Sequence, residues 1–404
     1  MRHREIERPG IARRGARMLR RLRAALGIDW YSFEDKVVLI TGGSRGLGLA
    51  LARTLGRAGA RVVILARDPD ELARAREDLR SRGVHITSHV CDVRDRAQVD
   101  TVLRTVTEEL GGIDVLINNA GTLVVGPVET MTLEDFEDSL RTNLMGALYT
   151  TMAVLPQMRK RGEGRIVNIS SLGGKIAAPH LLPYTAGKFA LTGLSRGLRA
   201  ELLKDNIVVT TVCPGLLRTG SPYNAFFKGR HRDEFTWFLL ADSLPLLSMS
   251  ARRAARKILW ATRLGRAEVT LGVLAKIGAV LNGVLPGFGA DLHAIVNAYL
   301  PEPDGIGTRR ARGRDSQTRL SSSFLTILSQ RAARDLNQLH ESGQLGTARS
   351  SDLPGGASKS GAGQSGAGQS GMSQSGTDQS GTGQSGAGSE KQRGSSSTPK
   401  KPTR

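Results

Sequence analysis

Arg165-Ile-Val-Asn-Ile-Ser-Ser171, followed after a turn by Tyr184-Thr-Ala-Gly-Lys188, is the stretch on which the reading of this chain rests. Its first part is apolar and β-branched, the pattern of a strand buried in a parallel sheet. Its second part opens a long helical pattern. Residues four apart share one face of a helix, so Lys188 lies one turn from Tyr184. An ammonium close to a phenol favours the phenolate. A free tyrosine titrates near ~10, and bringing that to neutrality needs roughly 4 kcal/mol of preferential stabilisation of the anion. Ser171 stands at the strand exit, where a hydroxyl can point into a cleft. A Tyr acid/base, a Lys that tunes it and a Ser that holds a carbonyl oxygen make a site for moving a proton beside a hydride. The same spacing also arises by chance as a surface Tyr and a solvated Lys, so its weight comes from the segments upstream.

Lys36-Val-Val-Leu-Ile-Thr41 reads as a short buried strand that runs into Gly42-Gly-Ser-Arg-Gly46-Leu-Gly48 and then a helix from Leu49. A strand, a glycine turn and a helix N-terminus form a phosphate cradle, because glycines admit the pyrophosphate and the helix dipole favours an anion. Arg61-Val-Val-Ile-Leu-Ala66 is the second strand, followed by Arg67-Asp68. In dinucleotide folds an acidic residue at this strand's end binds a ribose 2′-hydroxyl. Here Ala66 ends the strand, and two guanidiniums, Arg45 and Arg67, suit a 2′-phosphate. The pattern predicts NADP(H) over NAD, with Asp68 as a second candidate for the ribose.

A third strand over 84–90 ends in Cys91-Asp92-Val93, with Asp92 placed to meet an adenine amino group or to cap the next helix. A helix over 98–110 and a strand over 113–117 follow, then Asn118-Asn-Ala-Gly121. Small residues there let the backbone pass near a nucleotide, and the two Asn can knit neighbouring strands. A helix over 133–159 carries Asn143 in its interior, where Asn is mildly unfavourable. A local kink that aims a carbonyl at a water near Lys188 would explain it. A helix over 182–203, a sixth strand over 207–213, Pro214-Gly215, Thr219 and a last strand over 267–271 complete the alternation. This is the pattern of an α/β Rossmann fold, a doubly wound parallel sheet of about seven strands.

The chain has 404 residues and a formal charge of +20, concentrated at its ends. Residues 1–27 hold nine Arg against two Glu in an amphipathic pattern that suits a solvated arm or an anionic membrane surface. Nucleic-acid binding is the weakest reading of that charge. Two cysteines, Cys91 and Cys213, offer no disulfide framework, so a reducing, cytoplasmic compartment is expected, with peripheral membrane contact through the basic segment. The charge-free stretch 277–290 is shorter than the ~18 residues of a spanning helix.

Residues 216–249 are the most aromatic part of the chain, with Tyr223, Phe226, Phe227, Phe235, Trp237 and Phe238. They fall where strand ends face the cofactor and read as a lid over an apolar substrate, or as a subunit interface. Residues 272–300 form an apolar extension suited to an oligomer contact or a membrane-dipping flap. The expected organisation is a basic segment (1–34), an oxidoreductase domain (35–303), a basic linker with one helix over 320–340 (304–345), and a disordered tail (346–404). That tail repeats five-residue units at Ser360, Ser365, Ser370, Ser375, Ser380 and Ser385, and lacks apolar content to offset its ordering entropy.

Taken together, Thr41-Gly-x-x-x-Gly46-x-Gly48, Asp92, Asn118-Asn-Ala-Gly121, Asn143, Ser171, Tyr184-x-x-x-Lys188 and Pro214-Gly215-x-x-x-Thr219 resemble the short-chain dehydrogenase/reductase family, in its single-domain branch. The resemblance covers about residues 35–271. It implies a catalytic tetrad of Asn143, Ser171, Tyr184 and Lys188, with Lys188 also on the nicotinamide ribose and Thr219 on the carboxamide. The cofactor contacts expected are Thr41, Gly42, Ser44, Arg45, Gly46, Leu47, Gly48, Arg67, Asp92, Val93, Asn119, Ala120, Gly121, Tyr184, Lys188, Pro214, Gly215 and Thr219. The activity implied is an NADP(H)-dependent carbonyl reductase or alcohol dehydrogenase on an apolar substrate, in a homodimer. The alternative is a non-catalytic NADP-binding adaptor at a membrane surface. The family's usual ending after the last strand is replaced by the apolar stretch 272–300, so the layout looks more like membrane-associated reductases of lipids, retinoids or steroids.

Overall fold

The computed structural model describes residues 30–339 except 246; the predicted basic arm (1–29) and tail (340–404) lie outside the described residues. Seven parallel strands form the central sheet: β1 (Val37–Thr41), β2 (Arg61–Ala66), β3 (Ile86–Val90), β4 (Val115–Asn118), β6 (Gly164–Ile169), β7 (Ile207–Pro214) and β11 (Glu268–Leu271). β1 is buried at every position, and its alternating side chains serve two cores. Val38 and Ile40 face α1 (Gly46–Gly56), α2 (Pro69–Ser81) and α8 (Ala251–Arg263), whose Leu49, Leu55, Leu72, Leu79 and Ile258 fill one side. Val37 and Leu39 face α3 (Arg96–Leu110), α5 (Gly146–Arg161) and α6 (Leu182–Leu202), through Val99, Leu103, Val154, Met158 and Leu202. Each such buried Leu or Ile is worth about 2–3 kcal/mol relative to an exposed one.

The strand order β11-β7-β6-β4-β1-β2-β3 reverses direction between β1 and β4. At such a switch point the flanking connections leave on opposite faces and open a crevice at the carboxyl ends of the strands. The glycine turn, Asn119 and Ser171 all follow strands that end there.

A smaller unit covers the crevice. β5 (Val124–Val125), β9 (Phe226–Phe227) and β12 (Ala311–Arg312) make one short sheet, and β8 (Leu216–Arg218) pairs with β10 (Ser248–Ser250). With α7 (His231–Ser243) they enclose a core of Tyr223, Phe227, Phe235, Phe238 and Leu239. Phe227 and Phe235 pack edge to face, 5.4 Å apart. The aromatic segment is therefore a folded cover with its own core. It is pinned to α4 (Leu133–Leu140) by a buried charge cluster: Asp135 accepts from Lys228 and, at 2.7 Å, from Arg310. Asp135 and Lys228 are 0% and 1% exposed.

Two expectations need correction. Residues 304–339 are not a linker, because β12 pairs with β9 and Arg310 enters the charge cluster. The helix expected over 320–340 is confined to α11 (Ile327–Asp335). Ser321 and Thr318 exchange hydrogen bonds with each other's backbone, an alternative to helix that these side chains favour. The helix expected over 133–159 runs on through a π turn at Arg141–Met145, which carries Asn143. The apolar stretch after β11 is a hairpin of two helices, α9 (Val273–Val284) and α10 (Pro286–Asn297). It stands out from the body, with Val273, Val284 and Phe288 exposed at 74%, 71% and 65%. No described helix is long and apolar enough to cross a membrane.

Candidate active site

β1 delivers the glycine turn to the crevice. Gly42 has φ +62°, and a Cβ there would stand 2.9 Å from the Ala120 Cα. A Cβ on Gly48 would stand 2.1 Å from the Gly42 carbonyl oxygen. Only glycine lets the turn fold this tightly. Arg45 occupies the N-cap of α1 but gives it no side-chain cap, and the first turn has no acidic residue. An uncapped helix start facing a cavity is suited to an anion.

That cavity has a volume of about 1070 Å³ and runs from Arg67 and Asp68, past the glycine turn, to Ser171 and Tyr184. At its far end the Arg45 guanidinium is bonded to the Glu71 carboxylate, which also accepts from the Ser44 hydroxyl at 3.2 Å. Asp92 lines the cavity beside them, gripped by Arg94 at 2.7 Å. Burial would raise the Asp92 carboxyl, but the Arg94 hydrogen bonds outweigh it and hold the group below its ordinary range. Asp95, rather than Asp92, caps α3. Asp68 caps α2, accepting from the Glu71 N–H at 2.9 Å.

At the near end, Ser171 leaves β6 and Tyr184 lies in the first turn of α6. Burial raises the Tyr184 phenol above its ordinary value, against a hydrogen bond from Ser171 that lowers it. Lys188 lies 5.7 Å from the ring centre and gives its ammonium to the Ile169 carbonyl at 2.9 Å. Burial brings Lys188 down to about 8. Asn143 is buried in the π turn, with its amide held by the Thr122 carbonyl and the Ser139 hydroxyl at 3.1 and 3.0 Å. A Cβ on Gly121 would stand 2.8 Å from Asn143 Oδ1 and 3.4 Å from Lys188 Nζ, so both side chains pack beside this glycine.

Ser171, Tyr184 and Lys188 line the cavity together with Gly42, Ser44, Arg45, Gly46, Leu47, Arg67, Asp92, Val93, Asn119, Ala120, Gly121, Pro214, Gly215 and Thr219. Thr41, Gly48 and Asn143 do not. The Thr41 hydroxyl accepts from the Asn119 and Ala120 N–H groups at 3.0 Å, so it knits β1 to β4. Asn118 ties β4 to β6, donating to Asn168 at 2.9 Å, and Asn119 donates to the Thr41 and Gly42 carbonyls at 3.0 Å. Sequence reading missed Glu71, Asn224, His293 and Gln338, which also line the cavity. Glu71 leaves a local trace, an acid in the first turn after β2. The others come from distant segments and leave none.

A family model described as short chain dehydrogenase matches residues 36–225. A protein of Streptomyces coelicolor named as a ketoacyl reductase is 39% identical over 188 residues, covering 46% of this chain and 72% of that protein. Among solved structures, a gluconate 5-dehydrogenase from Burkholderia cenocepacia in complex with NADP and tartrate aligns with a TM-score of 0.53 at 27% identity, over 61% of this chain and 97% of that one. An actinorhodin polyketide ketoreductase with NADPH aligns at 0.52 and 32% identity, over 59% and 95%. The sheet order, the glycine turn at its switch point and a relative matched over most of its length lead to one conclusion: this chain belongs to the short-chain dehydrogenase/reductase family.

Proposed function

We propose that this chain is an NADP(H)-dependent oxidoreductase that interconverts an apolar ketone or aldehyde with its alcohol. One observation carries the reading: a single cavity joins an uncapped helix start with Arg45 at one end to the Ser171–Tyr184 pair at the other. The turn, with glycines where a Cβ would collide, fits a pyrophosphate. Ser44, Arg45 and Arg67 would hold a 2′-phosphate. When bound, the nicotinamide supplies or accepts the hydride.

The chain's own residues handle the oxygen and the proton. Ser171 holds the substrate oxygen by a hydrogen bond. Tyr184 donates its proton to that oxygen in reduction and takes it back in oxidation. Its raised affinity for the proton, caused by burial, keeps the phenol loaded. Lys188, fixed by the Ile169 carbonyl, places a cation beneath the ring, which favours the phenolate once the proton has left. Asn143 and Lys188 both pack beside Gly121 and form the start of a relay that reprotonates the site. Leu123, Ile176, Leu181, Phe226 and Phe238 line the substrate side and exclude water from the transfer. The hairpin reaches this wall through His293.

The test is NADPH and NADH oxidation against apolar carbonyls of increasing chain length. Tyr184→Phe is expected to cut turnover by about 10²–10⁴-fold, the range for a general acid, with NADPH binding retained. Full activity in that variant would reject the assignment. Binding without turnover in the unmodified protein would favour a non-catalytic adaptor.

A further inference from the structure

After α11 the chain crosses back over the glycine turn, nearly 300 positions downstream of it in sequence. The anchor is Arg53 of α1. It donates to the Asp335 carboxylate at 3.0 Å and to the Asp335 carbonyl at 2.7 Å, while also holding Asp78. The Leu336 carbonyl then accepts the Gly46 N–H at 2.9 Å, taking one of the amides that the uncapped start of α1 presents. Asn337 adopts φ +56°, a left-handed conformation that Asn tolerates. Its amide nitrogen donates to the Ser44 and Glu71 carbonyls, both at 3.0 Å, and its oxygen accepts from Arg74 at 3.0 Å. One side chain thereby ties together the two segments that carry the Ser44–Arg45–Glu71 cluster.

Gln338 comes next and lines the cavity. Its Oε1 accepts from Asn224 of the cover at 2.6 Å. Its Nε2 lies above the turn, where a Cβ on Gly46 would meet it at 2.7 Å, and it donates to no acceptor among the described residues. A donor group, held by its own oxygen and directed over an anion cradle, is placed to add a hydrogen bond to the anion.

We propose that residues 335–338 are a strap belonging to the dinucleotide site, in which Gln338 is an additional phosphate-side donor and Asn337 is a positioning residue for the 2′-phosphate end. This rests on the cofactor reading above. Two consequences distinguish it from a plain structural brace. Gln338 acts on the part that NADPH and NADH share, so its loss weakens both. Asn337 acts through Ser44 and Glu71, so its loss weakens NADPH more than NADH.

The experiment uses the full chain and fluorescence titration with NADPH and with NADH, together with stopped-flow dissociation of NADPH. The variants are Gln338→Ala and Asn337→Gly, the second chosen because glycine keeps the left-handed backbone. Gln338→Ala is expected to raise both dissociation constants about ten- to a hundredfold, the scale of a hydrogen bond to a charged group. Asn337→Gly is expected to lower the NADPH-over-NADH preference about fivefold, and both variants to release NADPH faster. If the unmodified chain binds NADPH and both variants match it within about twofold, with only the melting temperature lowered, the strap is a brace and the proposal falls. If the unmodified chain binds neither dinucleotide, the cofactor reading itself falls and takes the strap with it.

Discussion

Lys188 is bonded to the carbonyl oxygen of Ile169, at 2.9 Å, and not to the phenol of Tyr184, whose ring centre is 5.7 Å away. The ammonium is thus held as a fixed cation below the ring, where burial makes its charge costly. Burial lowers Lys188 to about 8, against about 10.4 in an unfolded chain. A depressed lysine costs stability while it is protonated, below about pH 8, and that cost fades as pH rises toward about 10. Lys188→Met is expected to raise the melting temperature at pH 7 by a few degrees, for about 1–3 kcal/mol, and to lower turnover at least about a hundredfold. Calorimetry at pH 7 and pH 10 checks it. The stabilisation should shrink at the higher pH.

The Tyr184 phenol gives a second readout. Burial raises it above its ordinary value. Ultraviolet titration of the unmodified chain against Tyr184→Phe should therefore show no phenolate from this residue below about pH 10. Ionisation of Tyr184 near neutrality without cofactor would contradict the role of burial.

Glu71 occupies the guanidinium of Arg45 and the hydroxyl of Ser44. A 2′-phosphate must displace this carboxylate or share the guanidinium with it. Glu71→Gln is expected to tighten NADPH about three- to tenfold with little effect on NADH, because one charge-assisted bond no longer competes. Arg45→Ala should do the reverse and reduce the NADPH preference at least about tenfold. The ratio of kcat/KM values for the two cofactors reports both.

Asp242 is buried in the wall of the cavity, 3% exposed, with a weak 3.5 Å hydrogen bond from Ser329. Burial raises its carboxyl to about 7, well above the unfolded value near 3.9. Between those values the folded chain holds a proton that the unfolded chain has lost. Stability therefore falls as pH rises from about 4 to about 7 and stays reduced above. Asp242→Asn is expected to be nearly neutral at pH 4 and stabilising by about 2–4 kcal/mol at pH 8. Denaturant melts at the two pH values decide it.

Asp135 titrates with the opposite sign. Burial pushes its carboxyl up, but hydrogen bonds from Lys228, the Thr132 backbone and Arg310 outweigh this and leave it below the ordinary range. Its contribution is present at neutral pH and is lost as pH falls through its folded value. Asp135→Ala leaves Lys228 buried without its carboxylate and is expected to cost about 3–5 kcal/mol. Proteolysis within residues 221–250 should accelerate first, because the cluster pins that cover to α4.

The sheet was readable because it is local. Val37 to Thr41 and Ile207 to Cys213 announce strands by composition, and each glycine or asparagine that follows marks a carboxyl end. Tyr184 and Lys188 share a helix face at a spacing that needs no tertiary information. The Thr41 hydroxyl, beside a phosphate cradle, satisfies two backbone donors just past β4, a pairing that its local sequence does not announce. Asp92 and Arg94, two residues apart, show that a predicted adenine contact already has a strong neighbour. Residues 304–339 read as linker because their charge and serine content resemble solvent-exposed chain. Arg310 is rich in charge and yet structural, since its partner Asp135 lies 175 positions earlier. No local pattern encodes such a pairing.

The two helices that follow β11 also govern how the protein behaves in bulk water. Their bare leucines, valines and phenylalanine attract one another, while a surplus of twenty positive charges keeps neighbouring molecules apart. At low ionic strength the repulsion reaches tens of ångströms; at 0.1 M it is cut to about 10 Å. Sulfate does double harm, shortening that reach and strengthening apolar attraction. Light scattering should therefore rise with added ammonium sulfate, and Val284→Glu with Phe288→Glu should suppress the rise.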